Sequence, residues 1–229
     1  MPSKLTESTD PWCLRGGESA ALLRDHPWRR FAVLGDSVAE GLCEATDGYP
    51  DVQWADRIAA ELRAVRPELA YLNLGLRGLR AHEVRAAQLA PALAFRPDLA
   101  LVVCGGNDAF GRGYDADAVD AELTAIIEAL QAAGADVITV GMFDVSLSPA
   151  VPERHRAGLG ERMRRLSAHT GALAERLGTL HVRLTDHPLT ADASMYSSDG
   201  RHGSARSDAI AAAETVRRLG AHLSSTRLG

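Results

Sequence analysis

Residues 99–106, Leu99-Ala-Leu-Val-Val103 followed by Cys104 and Gly105-Gly106, decide the fold. An uninterrupted apolar run that ends at glycines is typical of a strand buried on both faces. Similar short runs recur along the chain, and segments with the 3.6-residue periodicity of helices separate them. Strands that alternate with helices predict βαβ units, and therefore a parallel sheet with helices on both faces.

Five strands and five longer helices are predicted in this way. The strands are Phe31–Leu34, Ala70–Leu74, Leu99–Val103, Asp136–Val140 and His181–Leu184, and the helices are Gln53–Val65, Ala81–Leu93, Ala116–Ala133, Leu159–Leu177 and Ala205–Leu223. The pattern predicts an α/β fold, a three-layer doubly wound domain whose active site lies beyond the carboxyl ends of the strands. Residues 141–158 are predicted to form a long loop.

Length and composition narrow the functional classes. The 229 residues suit a single domain, 1–229, with residues 1–28 as an N-terminal extension that includes a short helix over Glu18–Arg24. The net charge of −5, without a basic run, argues against nucleic acid as a partner. No apolar stretch is long enough for a membrane span, and no signal peptide is visible. The composition, rich in Ala, Leu, Arg and Gly, suggests a bacterial source.

Three cysteines, Cys13, Cys43 and Cys104, show no C-x-x-C spacing. An odd number without metal-ligand or redox spacing fits reduced thiols in a cytosol. We therefore expect an intracellular, cytoplasmic protein. His82-Glu83 lacks the second histidine of a zinc site, so we expect no metal.

Four short motifs carry reactive or hydrogen-bonding side chains. They are Gly35-Asp36-Ser37 after the first strand, Asn73-Leu-Gly75-Leu-Arg-Gly78 after the second, Gly105-Gly106-Asn107-Asp108 after the third, and Asp199-Gly-Arg-His202 before the last helix. Taken singly, each reads as a turn or a helix cap. Because each follows a different predicted strand, a parallel sheet brings them to one edge. There they supply a serine nucleophile, donors for an oxyanion and an Asp–His pair, the set that acyl transfer needs. We also expect no cofactor, because acyl transfer through a serine needs none.

These motifs resemble the sequence blocks of the SGNH/GDSL hydrolase superfamily. Gly35-Asp-Ser37 is similar to the first block, Gly78 to the second-block glycine, Gly105-Gly-Asn107-Asp108 to the third block, and Asp199-x-x-His202 to the fifth. The resemblance covers Phe31 to the C-terminus. It implies a flavodoxin-like, five-stranded parallel sheet in an α/β/α sandwich, and a serine esterase acting on a small-molecule acyl ester or thioester.

The resemblance also assigns roles. It implies that Ser37 is the nucleophile and that His202 is the general base, oriented by Asp199. The oxyanion hole is then formed by the Ser37 N–H, the Gly78 N–H and the Asn107 side chain. No G-x-S-x-G elbow surrounds Ser37, so the ordinary α/β-hydrolase motif is absent.

Some residues depart from the family pattern, and some alternatives stay open. Many relatives follow the histidine with an apolar residue and a proline, whereas this chain has Gly203-Ser-Ala-Arg206. Gly75 competes with Gly78 as the second-block donor. Arg154, Arg156, Arg162, Arg164 and Arg165 form either a solvated face or a site for an acidic substrate group. An acyltransferase and a non-catalytic binding protein are the alternative functions, and the sequence carries no indication of oligomeric state.

Overall fold

A computed structural model describes residues 5–226. Its strands are β1 (Arg30–Gly35), β2 (Cys43–Glu44), β3 (Ala70–Asn73), β4 (Leu99–Val103), β5 (Asp136–Gly141), β6 (Leu180–Arg183) and β7 (Gly203–Ser204). Its helices are α1 (Glu18–Leu22), α2 (Ser37–Glu40), α3 (Trp54–Val65), α4 (Ala81–Phe95), α5 (Gly106–Phe110), α6 (Ala116–Ala132), α7 (Glu153–Leu177) and α8 (Ala205–Thr226). Short 3₁₀ segments cover Val145–Leu147 and Ala193–Met195.

The main sheet has five strands in the order β3-β1-β4-β5-β6, and every pairing is parallel. The chain moves outward from β1 to β3 and then returns to the other side of β1 at β4. The strand order therefore reverses between β1 and β4, which is where ligands bind in open α/β sheets. This architecture confirms the predicted α/β fold with a five-stranded parallel sheet between helical layers.

Side chains that alternate along the strands pack into two hydrophobic cores, one on each face of the sheet. On one face, Val33 and Leu101 pack in a cluster with residues of α3 and α8, such as Ile58 and Val216. On the other face, the neighbouring residues of the same strands pack against α4, α6 and α7. Both faces of the sheet are thus covered, which explains why the strands read as unbroken apolar runs rather than as alternating patterns.

The N-terminal segment packs onto the last helix. Asp10 accepts a hydrogen bond from the Arg206 Nε atom at 2.8 Å, and Cys13 is fully buried. Helix α1 ends at Leu22, two residues before the predicted end at Arg24. The first four residues of the predicted extension and the last three of the chain lie outside the described part.

The prediction of a loop over 141–158 is wrong for its last third. Helix α7 begins at Glu153, directly after Pro152, and continues through Gly158 and Gly160. Pro149 and Pro152 indicated a loop, but Pro152 stands at the N-cap of α7, where its missing N–H costs no helical hydrogen bond. Gly160 serves close packing, since a Cβ atom there would lie 2.7 Å from the Ser146 Oγ atom. Among residues 5–226, no helix is both long and apolar enough to cross a membrane.

At the end of β1, the backbone of the neighbouring strand leaves no space for a side chain. A Cβ atom on Gly35 would lie 1.9 Å from the Val103 carbonyl oxygen of β4, and its φ of 153° is one that other residues rarely adopt. The Gly35 N–H and carbonyl are both bound by the buried Gln88 side chain, at 2.8 Å each. Position 35 therefore accepts only glycine.

Gly35→Ala is expected to lower the free energy of unfolding by at least ~3 kcal/mol, because backbone must shift to relieve the clash. The matched control is Gly158→Ala, an exposed helical position where an added Cβ meets nothing within 4 Å. That change should raise stability by about 0.5–1 kcal/mol, because alanine favours the helix. Urea denaturation of both variants checks the two signs, and a stable Gly35→Ala protein would contradict the packing argument.

Candidate active site

Ser37 lies where β1 turns into α2. The turn is held by Asp36, whose N–H donates to the Val103 carbonyl at 3.4 Å and whose carboxylate caps α2 by accepting the Val38 N–H at 3.0 Å. Ser37 is the first residue of α2 and is 9 % exposed. Its hydroxyl thus sits at the carboxyl edge of the sheet, at the reversal between β1 and β4.

His202 reaches Ser37 from the far end of the chain. Its Nε2 atom lies 3.0 Å from the Ser37 Oγ atom, and its Nδ1 atom lies 2.6 Å from the Asp199 Oδ2 atom. With the Nδ1 proton on the Asp199 side, Nε2 is the acceptor that faces the serine hydroxyl. The three side chains that the sequence proposed as a triad therefore form one hydrogen-bonded chain.

Asp199 is fixed by its own loop. Its Oδ1 atom accepts the N–H groups of Arg201 and His202, at 2.8 and 3.0 Å, and the Ser197 hydroxyl. Burial opposes ionisation of this carboxyl, but these hydrogen bonds and the His202 ring outweigh burial and lower the pKa of Asp199. Asp199 is consequently a carboxylate at neutral pH, able to hold the imidazole in one orientation.

The unusual residues after His202 pack against β2 and α8. Gly203 and Ser204 form β7, which pairs with β2 in a two-stranded sheet. A Cβ atom on Gly203 would lie 2.3 Å from the Ser207 Oγ atom in the first turn of α8. A larger residue at position 203 would therefore require the Ser207 hydroxyl to turn away.

The candidate oxyanion donors line one cleft with the triad. Ser37, Gly78, Asn107, Asp199 and His202 all border it. Gly78 has a φ of 81°, and within the described residues its N–H has no hydrogen-bond partner. That N–H is free to bind a ligand oxygen.

Gly75, the alternative donor, is differently placed. Its N–H is already donated to the Asn73 side chain at 2.8 Å. A Cβ atom there would lie 2.2 Å from the Glu40 backbone nitrogen, so this glycine serves the close approach of two loops. The geometry favours Gly78 over Gly75 as the donor.

The Asn107 amide is held by two acceptors. Its Nδ2 atom donates to the Leu79 carbonyl at 2.9 Å and to the Asp36 Oδ2 atom at 3.4 Å. The second contact is long and therefore weak. The hydrogen bond to the Leu79 carbonyl fixes the plane of the amide. The other N–H of Nδ2 can turn from Asp36 to a ligand oxygen.

The sequence did not reveal the ion pair between Glu40 of α2 and Arg77, which lies in the loop after β3. The Glu40 carboxylate accepts the Arg77 N–H at 2.7 Å and lies 2.7 Å from the Arg77 guanidinium. Glu40 belongs to the helix that starts at Ser37, and Arg77 directly precedes Gly78, so the pair sets the distance between them. The only signal in the sequence was opposite charge next to two motif residues, which is too common to identify a site.

A second opening, an apolar cavity of about 190 Å³, also reaches Ser37. Its walls come from many segments of the chain. The apolar lining includes Val38, Trp54, Val140, Met142, Val145, Met163, Leu184, Met195 and Ala211. At its mouth, the Arg201 guanidinium lies over the Phe110 ring, 5.6 Å from the centroid.

Two buried carboxyls border this cavity, and burial raises both pKa values. The pKa of Asp36 rises to about 6, and that of Asp208 rises to about 7. Asp208 accepts the Trp54 N–H at 3.1 Å and contacts the Cys43 thiol. The environment around Ser37 is therefore one of low polarity on its buried side.

Other sequence candidates lie away from these openings or are inert. Burial raises the pKa of the Cys43 thiol to about 12 and that of Cys104 well above its usual value, so both stay protonated. None of the clustered arginines of α7 borders the cavity or the cleft. In the described part of the chain, no group of His, Cys, Asp and Glu side chains is arranged to hold a metal ion.

Comparison with known proteins gives a family and a set of structural neighbours. The family model of GDSL-like lipase/acylhydrolase matches residues 33–224. No curated protein sequence matches the chain.

Solved structures with the same fold share little sequence with it. A Parabacteroides merdae protein assigned as a GDSL-like lipase has a TM-score of 0.70 and 17% identity, covering 83% of this chain and 95% of that one. The acetylxylan esterase Axe2 from Geobacillus stearothermophilus has a TM-score of 0.66 and 20% identity, covering 84% and 94%. The psychrotrophic esterase EstA from Pseudoalteromonas has a TM-score of 0.64 and 15% identity, covering 86% and 99%.

The raised pKa of Asp208 predicts a pH-dependent stability. Folded protein keeps this proton up to about pH 7, whereas an unfolded aspartate releases it near ~3.9. Between these values the folded state binds more protons, so the free energy of unfolding falls as pH rises through the window. Asp208→Asn retains an acceptor for the Trp54 N–H and removes the titration.

Urea denaturation at several pH values between about 4 and 7 checks this expectation. The stability of Asp208→Asn should decline less with rising pH than that of the wild type. Asp186→Asn, which changes an exposed aspartate, should decline as the wild type does. An unaltered slope in Asp208→Asn would contradict the assignment.

Proposed function

The chain belongs to the GDSL-like lipase/acylhydrolase family and is an SGNH-type ester hydrolase, and on that premise we propose that it cleaves small-molecule esters through an acyl-enzyme on Ser37. The observation that carries the proposal is the chain of hydrogen bonds from Asp199 through His202 to Ser37. It supplies a nucleophile, a base within reach of its proton, and an anion that orients the base.

In the first half of the reaction, the Ser37 Oγ atom attacks the ester carbonyl carbon while His202 Nε2 takes its proton. The bond between the carbonyl carbon and the alcohol oxygen then breaks, and the imidazolium returns the proton to the departing alcohol. In the second half, a water molecule attacks the acyl carbon while His202 takes its proton; the bond from that carbon to the Ser37 Oγ atom then breaks, and His202 returns the proton to Oγ. The products are the carboxylic acid and free Ser37.

The negative charge on the carbonyl oxygen appears only in the tetrahedral states. The N–H groups of Gly78 and Ser37 have no partner among the described residues and are oriented by the α2 turn and the Glu40–Arg77 pair. The Asn107 amide adds a third donor when it exchanges its long contact with Asp36. Donors already fixed in place stabilise the transition state without a cost of reorganisation.

The proposal takes the chain as one catalytic domain that needs no cofactor. A cytoplasmic location is supported by three free cysteines, Cys13, Cys43 and Cys104. A thioester fits the same chemistry. An acyltransferase would use the same acyl-enzyme with an alcohol in place of water, so product analysis in the presence of added alcohol separates the two outcomes.

Ser37→Ala is expected to abolish turnover of p-nitrophenyl esters and to abolish labelling by a fluorophosphonate, because no other hydroxyl contacts His202 Nε2 in the described residues. Intact-mass measurement detects the label. Ser225→Ala, near the end of α8, is the control and should label and turn over as the wild type does. Labelling that persists in Ser37→Ala would refute the assignment, and a wild type that neither labels nor hydrolyses would indicate a binding protein.

Asn107→Ala is expected to lower kcat by about 100-fold or more while changing KM little. The reason is that the amide contacts charge that exists in the transition state but not in the bound ester. Steady-state kinetics on one p-nitrophenyl ester separate the two constants. A raised KM with unchanged kcat would make Asn107 a substrate-binding residue instead.

A further inference from the structure

Two openings that differ in their lining meet at Ser37. One is the apolar cavity, and the other is the cleft that holds Gly78 and Asp199. Ser37, Leu42, Asn107 and His202 border both. An ester bound with its carbonyl at Ser37 must therefore place its two halves in two different environments.

The cavity is built to hold an apolar group. Apolar side chains form most of its wall, among them Val140, Val145, Met163 and Met195, each at most 5 % exposed. Its polar residues lie beside Ser37 and in the first turn of α8, apart from Tyr196 and Arg201; those beside Ser37 are Asp36, Asn107 and His202, and those of α8 are Ser207 and Asp208. The pKa of Asp208, raised to about 7 by burial, reports the same low polarity.

The cleft is lined by exposed polar groups. Glu44, Ser198 and Asp199 border it, as does Arg77. The Arg77 guanidinium is bound to Glu40 and the Asp199 carboxylate to His202, so the charge that faces the cleft without an ion-pair partner in the described residues is the Glu44 carboxylate. Such a surface repels anions and offers acceptors to hydroxyl groups.

The order of the two reaction steps decides which half goes where. The acyl group stays bonded to Ser37 after the alcohol has left, and water must then reach the same carbonyl. A group leaving through the exposed cleft clears the path for that water, whereas a group in the apolar cavity would not. The acyl chain therefore belongs in the cavity and the alcohol in the cleft.

We propose that the substrates are esters of medium-chain fatty acids with polar, hydroxyl-bearing alcohols; this rests on the proposed function. Apolar cavities of about 150 Å³ hold a benzene molecule, so a cavity of about 190 Å³ accepts acyl chains of about four to eight carbons. An acetyl group is too small to contact most of the apolar residues that line the cavity.

The first test is a kcat/KM series on p-nitrophenyl esters from acetate to palmitate. Each buried methylene adds up to about fourfold, so hexanoate is expected to exceed acetate by more than about tenfold. Values should fall again for chains too long for the cavity. Acetate turned over as well as hexanoate would overturn the proposal and leave ester hydrolysis intact, whereas no turnover of any ester would overturn both.

A matched pair of variants tests whether the acyl chain binds in the cavity. Val145 and Leu147 lie on the same 3₁₀ segment, but Val145 lines the cavity, whereas Leu147 is 46 % exposed and does not. Val145→Phe should lower kcat/KM for hexanoate about tenfold and for acetate much less. Leu147→Phe should change neither. If circular dichroism shows that Val145→Phe does not fold, Ala211→Leu, at another residue that lines the cavity, takes its place in the test.

A second pair of substrates tests the alcohol side. Glycerol monohexanoate is expected to have a higher kcat/KM than octyl hexanoate, because the cleft offers acceptors to hydroxyl groups and has less apolar surface than the cavity. A preference for the octyl ester would overturn the placement of the alcohol, and an equal effect of Val145→Phe on acetate and hexanoate would overturn the placement of the acyl chain.

Discussion

The contact between the end of β1 and the end of β4 sets the geometry on which the site depends. Gly35 lies against the Val103 carbonyl so closely that no side chain fits between them. This brings Asp36 within hydrogen-bond distance of Val103, and the same aspartate caps α2 and touches Asn107. One tight junction of two neighbouring parallel strands thus positions both the nucleophile and an oxyanion donor.

The base is brought to this junction by a separate set of contacts. His202 is 165 residues from Ser37 along the chain, and its loop is anchored where β7 pairs with β2. The following helix is held in turn by the buried Arg206, which binds Asp10 of the N-terminal segment. The orientation of the imidazole therefore depends on parts of the chain that contain no motif residue, because a shift of α8 moves His202 with it.

The sequence predicted the sheet and the main helices, because buried parallel strands and amphipathic helices leave strong periodic signals. Ser37, His202 and Asp199 were predicted to lie together, and the structure brings them into hydrogen-bond contact, although their catalytic role stays a prediction. The short helices α2 and α5 and the two-residue strands were missed, since such lengths carry no period. Helix α7 was predicted to start at Leu159 instead of Glu153, because Pro149 and Pro152 were taken as signals of a loop that extends to Gly158.

The apolar cavity could not be predicted from the sequence, for a different reason. Its wall residues, such as Trp54, Val145 and Met163, come from segments far apart in the chain, and each alone looks like an ordinary core residue. The pairing of Glu40 with Arg77 was invisible for the same reason, since opposite charges are common. The surface that contacts the substrate depends on how distant segments pack together. A strand, in contrast, can be predicted from the residues of its own segment.

The central claim is that Ser37 forms an acyl-enzyme whose acyl chain occupies the apolar cavity. A crystal structure of the protein inactivated with a hexylphosphonate tests it most directly. The claim predicts phosphorus bonded to the Ser37 Oγ atom, the phosphoryl oxygen within hydrogen-bond distance of the Gly78 N–H and the Asn107 amide, and the hexyl chain against Val145 and Met163. Phosphorus on any other residue, or a hexyl chain lying in the cleft beside Asp199, would contradict it.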